Sequence, residues 1–211
     1  MKCLLLFISA LIVGFFIMFG LQKLSPKKMV KPVVTKSKKP FSFLNPPSNS
    51  LVGNITILTG EVLWESRVAT EPAQITIRQK IQQGETLKTG SGSATVQFDK
   101  TATFVISSES ELDIVQTLPE SFVFQQQLGT VEYQRSGITP LSVRVMHLLL
   151  DQDVGDSLVG MDTEARTVTI FVRTGKLRLA YNDLDLNTQL QDIEAGKKVV
   201  FFDDTREIEI E

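Results

Sequence analysis

The sequence predicts an all-β domain of short strands, arranged as a β-solenoid, a β-roll or a sandwich and preceded by one transmembrane helix. Beyond residue 51, apolar residues alternate with polar or small ones at period two, the pattern of a strand with one buried face. Turn-forming residues interrupt this alternation at short intervals. No sustained helical stripe follows residue 51. We therefore expect about a dozen short strands.

The first element is an apolar segment at residues 3–21. As a helix it would rise about 28 Å, close to the roughly 30 Å of a bilayer's hydrocarbon core. A cleaved export signal is the alternative, but such signals end in a small-x-small site, which this segment lacks. The sequence therefore predicts a transmembrane signal anchor over residues 1–21. Cys3, the one cysteine of the chain, lies within it and cannot form an intrachain disulfide.

The second element, residues 22–50, is a linker rich in lysine and proline. Prolines break helices and the lysines repel one another, so this segment is expected to be extended. The lysines either contact anionic lipid headgroups or remain solvated. The positive-inside rule also reads them as cytoplasmic, because four lie soon after the apolar segment: Lys23, Lys27, Lys28 and Lys31.

The third element, residues 51–211, is the all-β domain, and its charge excludes one class of partner. Eight lysines and no acid precede Phe41, whereas the remainder has 14 Lys+Arg against 24 Asp+Glu. An acidic domain without a basic stripe repels phosphate backbones, so no nucleic-acid partner is expected.

Within this domain, paired apolar residues mark the inward face of each predicted strand. We expect residues 141–150 to form a buried strand or a short helix, and residues 151–163 to form a loop. The alternating sets are Ile55 and Ile57; Val62 and Trp64; Ile75 and Ile77; Ala94, Val96 and Phe98; Ala102, Phe104 and Ile106; Leu112 and Ile114; Val168, Ile170 and Val172; Leu177, Leu179 and Tyr181; and Ile208 and Ile210.

Several short motifs of the domain occur in an order that resembles the FecR domain family. They are Gly60-Glu61-Val62; Gly84-Glu85-Thr86-Leu87-Lys88-Thr89-Gly90; Ser93-Ala94-Thr95-Val96-Gln97-Phe98-Asp99; Phe104-Val105-Ile106; Ser110-Glu111-Leu112; Gly129-Thr130-Val131; Val172-Arg173-Thr174-Gly175-Lys176-Leu177; and Ala195-Gly196. The resemblance covers roughly residues 55–200. It implies a FecR-like β domain on the outer side of the inner membrane, opposite to the side that the lysine count indicates.

The departures from the family limit what the resemblance implies. Relatives place Asp-Gly after the phenylalanine, whereas this chain has Asp99-Lys100-Thr101, so a longer or different turn is expected there. The family's Gly-Thr-x-Phe step is absent. FecR-type regulators also carry a cytoplasmic domain that binds a sigma factor, and only Met1 and Lys2 precede the apolar segment here. We therefore expect no sigma-factor-binding domain.

The residues do not predict a catalytic, cofactor-binding or metal site. His147 is the one histidine, and its apolar surroundings favour a structural, hydrogen-bonded imidazole over a catalytic base. One histidine without an available thiolate cannot supply the ligands of zinc. The run from Asp151 through Asp153 to Asp156 lacks the remaining ligands of a calcium loop and is interpreted as solvated.

Two further groups are interpreted structurally. The acids Asp203, Asp204, Glu207, Glu209 and Glu211 are expected in a turn and on the outer face of a terminal strand. Six aromatic residues would form a glycan platform if exposed, but burial in the core is the expected state: Trp64, Phe122, Phe124, Phe171, Phe201 and Phe202.

These observations predict a membrane-anchored, extracytoplasmic and non-enzymatic binding or scaffold module. Its partners would be the lipid membrane, through the N-terminal helix, and an envelope protein or polymer. One alternative is a component of a signal relay, in which the membrane segment passes a binding event to another membrane protein. The other is a glycan hydrolase that uses paired carboxylates. No cofactor is expected.

Overall fold

The computed structural model describes residues 46–69 and 71–211, and every regular element in these ranges is a β-strand. The all-β class predicted from the sequence is therefore confirmed. The predicted anchor, residues 1–21, and most of the predicted linker lie outside the described residues. A search of the described residues finds no helix with the length and apolar character of a membrane span.

Seventeen strands follow one another through the described residues. Their bounds are β1 Gly53–Thr59, β2 Val62–Glu65, β3 Ala73–Gln74, β4 Lys80–Ile81, β5 Thr86–Thr89, β6 Ser93–Phe98, β7 Ala102–Ile106, β8 Glu111–Leu118, β9 Ser121–Arg135, β10 Leu141–Val145, β11 Leu148–Gln152, β12 Gly155–Asp162, β13 Thr167–Thr174, β14 Lys176–Asn182, β15 Thr188–Glu194, β16 Lys198–Phe202 and β17 Glu207–Ile210.

The strands pair into two sheets that share β9. Sheet A has the order β4-β1-β6-β7-β9-β12-β13-β16-β17. Sheet B has the order β3-β2-β5-β8-β9-β10-β11-β14-β15. All of these pairs are antiparallel except β9 with β10. The chain thus returns repeatedly from one sheet to the other, and their inward faces meet in one hydrophobic core.

Strand β9 changes sheets at Gly129. Its first half pairs with β8 and β10 in sheet B, and its second half pairs with β7 and β12 in sheet A. Gly129 has φ +77°, a left-handed conformation that glycine adopts without a steric penalty. A Cβ atom there would lie only 2.7 Å from the Cα of Ser110. The passage of β9 from one sheet to the other therefore depends on the absence of a side chain at residue 129.

Strict alternation places large side chains between the sheets. Ala94, Val96 and Phe98 are all buried on one side of β6, as predicted. The ring of Phe98 lies 5.7 Å from that of Phe104 and 5.3 Å from that of Phe122, in the edge and tilted geometries that aromatic pairs prefer. Each such ring contributes roughly 1.5–3 kcal/mol by burial.

A buried polar network lies beside this aromatic cluster. The Tyr133 hydroxyl donates to Gln126 Oε1 at 3.0 Å. Gln126 Nε2 donates in turn to the carbonyls of Gly129 at 2.8 Å and Val159 at 3.1 Å. Burial raises the pKa of Tyr133 well above its ordinary value, so the hydroxyl keeps its proton. The network thus provides hydrogen-bond partners for the buried side-chain amide of Gln126 at the point where β9 changes sheets.

Three of the predicted inward pairs are not buried as expected. On the terminal edge strand β17, Ile208 is half-buried and Ile210 is exposed. Ile55 is buried, but Ile57 faces solvent, because the pairing of β1 with β6 shifts register between them. Such a β-bulge places the following residues on the opposite face. Ile75 is likewise buried whereas Ile77 is exposed, since β3 ends at Gln74 and the chain leaves the strand conformation.

The stretch from Leu141 to Gly160 also differs from expectation. Residues 141–150 form neither one strand nor a helix but two strands, β10 and β11, joined at Met146 and His147, with Met146 at φ +51°. The predicted loop at residues 151–163 mostly forms β12, which pairs along its length with β9 and β13. Period-two reasoning missed β12 because Gly155 and Gly160 resemble turn residues.

The turn after Phe98 agrees with the sequence-based expectation. Phe98 pairs with Ala102, so three residues form the connection, and Thr101 N–H donates to the Phe98 carbonyl at 2.9 Å. Asp99 adopts the positive φ of +45°, which aspartate tolerates better than lysine. The longer turn removes the need for a left-handed Lys100.

Candidate functional site

The outer face of sheet A carries a lateral row of register-paired residues, which we call the sheet A row. Three of its members are large apolar side chains in contact with solvent. Ile57 is 54% exposed, Phe171 is 39% exposed and Val105 is 37% exposed. Leu158, half-buried, lies directly beside Phe171. From β1 to β16 the row consists of Ile57, Thr95, Val105, Glu132, Leu158, Phe171 and Lys198.

An outward-facing apolar row is unusual on a solvated antiparallel sheet, whose outer positions are ordinarily polar. Single exposed apolar residues need no explanation, but members of one row line up across neighbouring strands. At about 4.8 Å per strand, the stretch from Ile57 to Phe171 extends for about 24 Å. That length suits contact with a macromolecule better than with a small ligand.

The centre of the row is polar and paired. Arg173 Nη1 lies 2.8 Å from Glu132 Oε2 and 3.4 Å from Asp156 Oδ2. The hydrogen bond to Glu132 raises the pKa of Arg173. Burial and the charge of Glu132 raise the pKa of Asp156, while Arg173 opposes that shift. Asp156 Oδ1 is buried and has no hydrogen-bond partner within the described part of the chain.

The sequence offers a weak signal for this row. Phe104-Val105-Ile106 and Ile170-Phe171-Val172 are uninterrupted apolar triplets inside strands. Because side chains alternate between faces, the middle residue of each triplet must point away from the core. The sequence predicts the flanking residues as core, and the expectation that most of the aromatic residues are buried does not hold for Phe171.

The six aromatic residues considered for a glycan platform do not form one. Phe122, Phe124 and Phe201 are fully buried, and Trp64 and Phe202 are half-buried. Phe171 faces solvent, and its neighbours in the row, Leu158 and Lys198, are not aromatic.

His147 lies in a polar cluster instead of the apolar pocket that its sequence neighbours suggested. Its Nδ1 is 2.8 Å from Asp203 Oδ1, and its ring is 58% exposed. The Asp203 side chain is buried and also accepts from Arg166 Nη2 at 2.5 Å and Arg206 Nη1 at 3.3 Å. The imidazole is therefore held by a hydrogen bond, and it joins two turns, residues 146–147 and 203–206.

Electrostatics in this cluster favour an ionised Asp203. Burial by itself raises the pKa of Asp203, but hydrogen bonds from the ring and backbone of His147 outweigh it, together with the charges of His147 and Arg206. The pKa of Asp203 is consequently lowered from 3.8. Sequence analysis placed Asp203 in a turn but missed that its carboxylate is buried.

The acids of residues 151–156 do not converge on one point. Asp151 accepts from Ser142 Oγ at 2.6 Å on the outer face of sheet B, and Asp153 lies 3.7 Å from Arg135 at a corner. Asp156 belongs to sheet A and contacts Arg173. Among the residues that the structure describes, no group of three or more metal-ligating side chains comes together.

A polar groove of about 380 Å³ crosses the outer face of sheet B near this corner. Its cations and acids bind one another: Arg178 Nε lies 2.8 Å from Asp192 Oδ1, and Lys176 Nζ lies 3.0 Å from Asp192 Oδ2. The positive and negative side chains of the groove thus balance, and no group of charges of one sign converges on a point within it. The walls comprise Arg135, Ser142, Asp151, Asp153, Lys176, Arg178 and Asp192.

Comparison with known proteins identifies similar folds but no family. No family model matches the chain, and no curated protein matches it. Two crystal structures, at 2.50 and 1.65 Å resolution, are similar, each described as a "putative anti-sigma factor" from Parabacteroides distasonis ATCC 8503. Sequence identity is 12% in both, with TM-scores of 0.50 and 0.51.

These similarities cover 59% and 60% of this chain, and 57% and 58% of the solved chains. The chain thus matches less than two thirds of those proteins. At 12% identity the similarity concerns the fold alone.

Proposed function

We propose that this chain is a non-enzymatic binding module that docks a partner protein on the sheet A row. The observation that supports this proposal is the alignment of four apolar side chains on the solvent-exposed side of sheet A: Ile57, Val105, Leu158 and Phe171. Desolvation of these side chains would supply the binding free energy. The ion pair of Glu132 and Arg173 lies among them and would set register and specificity.

A protein partner fits this surface better than an envelope polysaccharide. Glycan recognition relies on exposed aromatic faces, whereas Phe171 is the one aromatic residue of the row and lies between Leu158 and Lys198. A flat row about 24 Å long matches the edge or face of another protein domain. The polysaccharide is therefore the less favoured envelope partner.

The location of the module is part of the proposal. The apolar residues 3–21 would hold it at the inner membrane as a single-pass protein, with the β domain outside the cytoplasm. The FecR resemblance supports this orientation, while Lys23, Lys27, Lys28 and Lys31 favour the opposite one. Protease treatment of spheroplasts tests it: digestion of the β domain supports the outer location, and full protection until lysis contradicts it.

The hydrolase alternative receives little support from the geometry. Paired carboxylates must flank one bond at about 5–10 Å, and both must reach the substrate. Asp151 and Asp156 lie on different sheets, and each is bound to a neighbouring side chain. Substituting both with asparagine and assaying glycan release tests this alternative, which requires an activity that the double variant loses.

A signal-relay component remains the second candidate. Its support is the fold shared with the two solved structures, whose description names an anti-sigma factor. In this case the docking event on sheet A would be passed through the membrane segment to another membrane protein. Identification of the bound partner as a transmembrane protein would favour relay over scaffold.

Site-specific photo-cross-linking tests the proposed docking face. A photoreactive phenylalanine analogue replaces Phe171 in the full-length chain, produced in its native host. The matched control carries the analogue at Arg144, which is exposed on the outer face of sheet B. A discrete protein adduct at position 171 and none at position 144 supports the proposal; equal adducts at both positions, or none at 171, contradict it.

A further inference from the structure

We infer that β15 is the docking edge for a second copy of this chain, whose own β15 adds as an antiparallel neighbour with Leu190 on the two-fold axis. This surface is separate from the sheet A row, because β15 is the last strand of sheet B. The inference is therefore independent of the proposed function, and the two can be tested separately.

The first observation is that β15 is a long edge with one partner. It pairs with β14 from Thr188 to Glu194 without a register shift, and no pairing on its other side occurs within residues 46–69 and 71–211. Six of its seven residues are exposed, and Ile193 is the buried one. The strand contains no proline and no bulge, the devices that ordinarily prevent another strand from adding to an edge.

The second observation is a cluster of exposed leucines at this edge. Leu190 is 65% exposed in the strand, and Leu184 and Leu186 are 69% and 81% exposed in the loop before it. Leu186 has φ +65°, a left-handed conformation that costs a side-chain-bearing residue roughly 1–2 kcal/mol. Strain of this kind tends to persist where a function depends on it.

The loop is held in place by its own hydrogen bonds. Asp183 Oδ1 accepts from the N–H groups of Asp185 at 3.0 Å and Asn187 at 2.8 Å. Asp183 Oδ2 accepts from Gln189 Nε2 at 2.8 Å. These hydrogen bonds lower the pKa of Asp183, and the bond from Gln189 has the largest effect. The leucines are thus presented by an ordered loop, and ordering it costs a partner little.

The third observation is that the acids of the edge are already neutralised. Asp192 accepts from Arg178 and Lys176, which lowers its pKa to about 2, and Glu194 lies 3.6 Å from Lys176. Two acids and two cations therefore cancel across β14 and β15. Within β15, a second copy thus meets no net repulsion, whereas a basic strand from another protein finds these two acids occupied, and this favours self-association.

Side-chain chemistry selects one register. With Leu190 on the axis, Leu190 faces Leu190 of the other copy, Gln189 faces Gln191, and Thr188 faces Asp192. No acid then lies opposite an acid. If the two-fold axis passed through Gln191 instead, Leu190 of one copy would lie opposite the carboxylate of Asp192 in the other copy.

Disulfide trapping tests both the pairing and its register. All variants carry Cys3→Ser, which removes the native thiol, and the full-length chain is studied in detergent. In the inferred register, the two Cα atoms of residue 190 lie about 4.5–5.5 Å apart, within the range of a disulfide. The two Cα atoms of residue 191 are offset by about 7 Å along the strand, and their separation exceeds that range.

Leu190→Cys is therefore expected to form covalent dimers under mild oxidation, and Gln191→Cys at most about one fifth as many. A mixture of Gln189→Cys and Gln191→Cys chains should cross-link to each other. Leu149→Cys, which lies two strands inward in the same row, is the control for random collision. Each variant must retain the urea midpoint of the Cys3→Ser chain.

Three outcomes would overturn the inference. Cross-linking at residue 149 as efficient as at 190 indicates collision. Absence of a dimer at 190, when the same thiol reacts fully with a maleimide, shows that the edges do not meet. A cross-link from 190 to a different protein, without a dimer, assigns the edge to another partner.

Discussion

His147 Nδ1 and Asp203 Oδ1 lie 2.8 Å apart although 56 residues separate them in sequence. The contact connects the turn between β10 and β11 with the turn between β16 and β17. The Asp203 side chain is 1% exposed, and His147 and the cations of Arg166 and Arg206 surround it. The cluster therefore joins the end of sheet A to sheet B, independently of the hydrophobic core.

Asp203→Asn is expected to destabilise the domain by about 1–3 kcal/mol, because the donors of His147 and Arg206 then face a buried neutral amide in place of a carboxylate. Asp204→Asn is the matched control: Asp204 is exposed and pairs with Arg166 alone, so a loss under about 1 kcal/mol is expected. Urea unfolding of the full-length chain measures both. Equal losses for the two variants would contradict a special role for the buried carboxylate.

The pH dependence of Asp203 follows from its lowered pKa. The unfolded carboxyl titrates near 3.8 and the folded one below that value, so the folded state binds fewer protons between the two. The stabilisation is thus complete above the unfolded pKa and is lost as pH falls through the folded pKa. The difference in unfolding free energy between wild type and Asp203→Asn should be fully present at about pH 5 and shrink below about pH 4.

Urea titrations at a series of pH values measure this difference. The Asp204→Asn chain serves as the reference for the other acids, which titrate over the same range. A difference that grows as the pH falls would show that the pKa of Asp203 is raised, contrary to the geometry of the cluster.

Gly129→Ala is expected to cost more than about 2 kcal/mol, since a left-handed alanine is strained and its Cβ atom meets the backbone of Ser110. Gly196→Ala is the control. Gly196 has a similar φ of +84°, but a Cβ atom there meets nothing within 4 Å, so it incurs only the conformational cost of roughly 1–2 kcal/mol. Equal costs for both, measured by urea unfolding, would show that close packing at the β9 corner contributes nothing.

Much of the fold was predictable because a strand's alternation has a fixed period. The sets around Phe98, Phe104 and Ile170 are buried as expected, since each belongs to an uninterrupted strand between two partners. Ile57 was misplaced because a bulge depends on the register with a neighbouring strand, which one sequence does not contain. The strand β12 was missed because its glycines meet backbone and polar neighbours in the sheet, and local chemistry does not reveal such neighbours.

The candidate sites were less predictable than the fold. The contact of His147 with Asp203 depends on two turns that meet only after both sheets have formed. The sheet A row requires the order of strands across the sheet, so Val105 and Phe171 could be assigned to the outer face but not to one row. Neither arrangement has a sequence spacing that identifies it.

The measurement that most directly tests the docking role of the sheet A row is the affinity of the cross-linked partner for surface variants. Phe171→Ser should weaken binding by about tenfold or more, because truncating a large apolar side chain that anchors an interface costs about 1.4 kcal/mol or more. Ile138→Ser is the control, since Ile138 is 95% exposed and lies outside the row, and its affinity should match that of wild type. Unchanged affinity for Phe171→Ser, in a chain with the wild-type urea midpoint, would show that this apolar side chain makes no contact with the partner and would contradict the account.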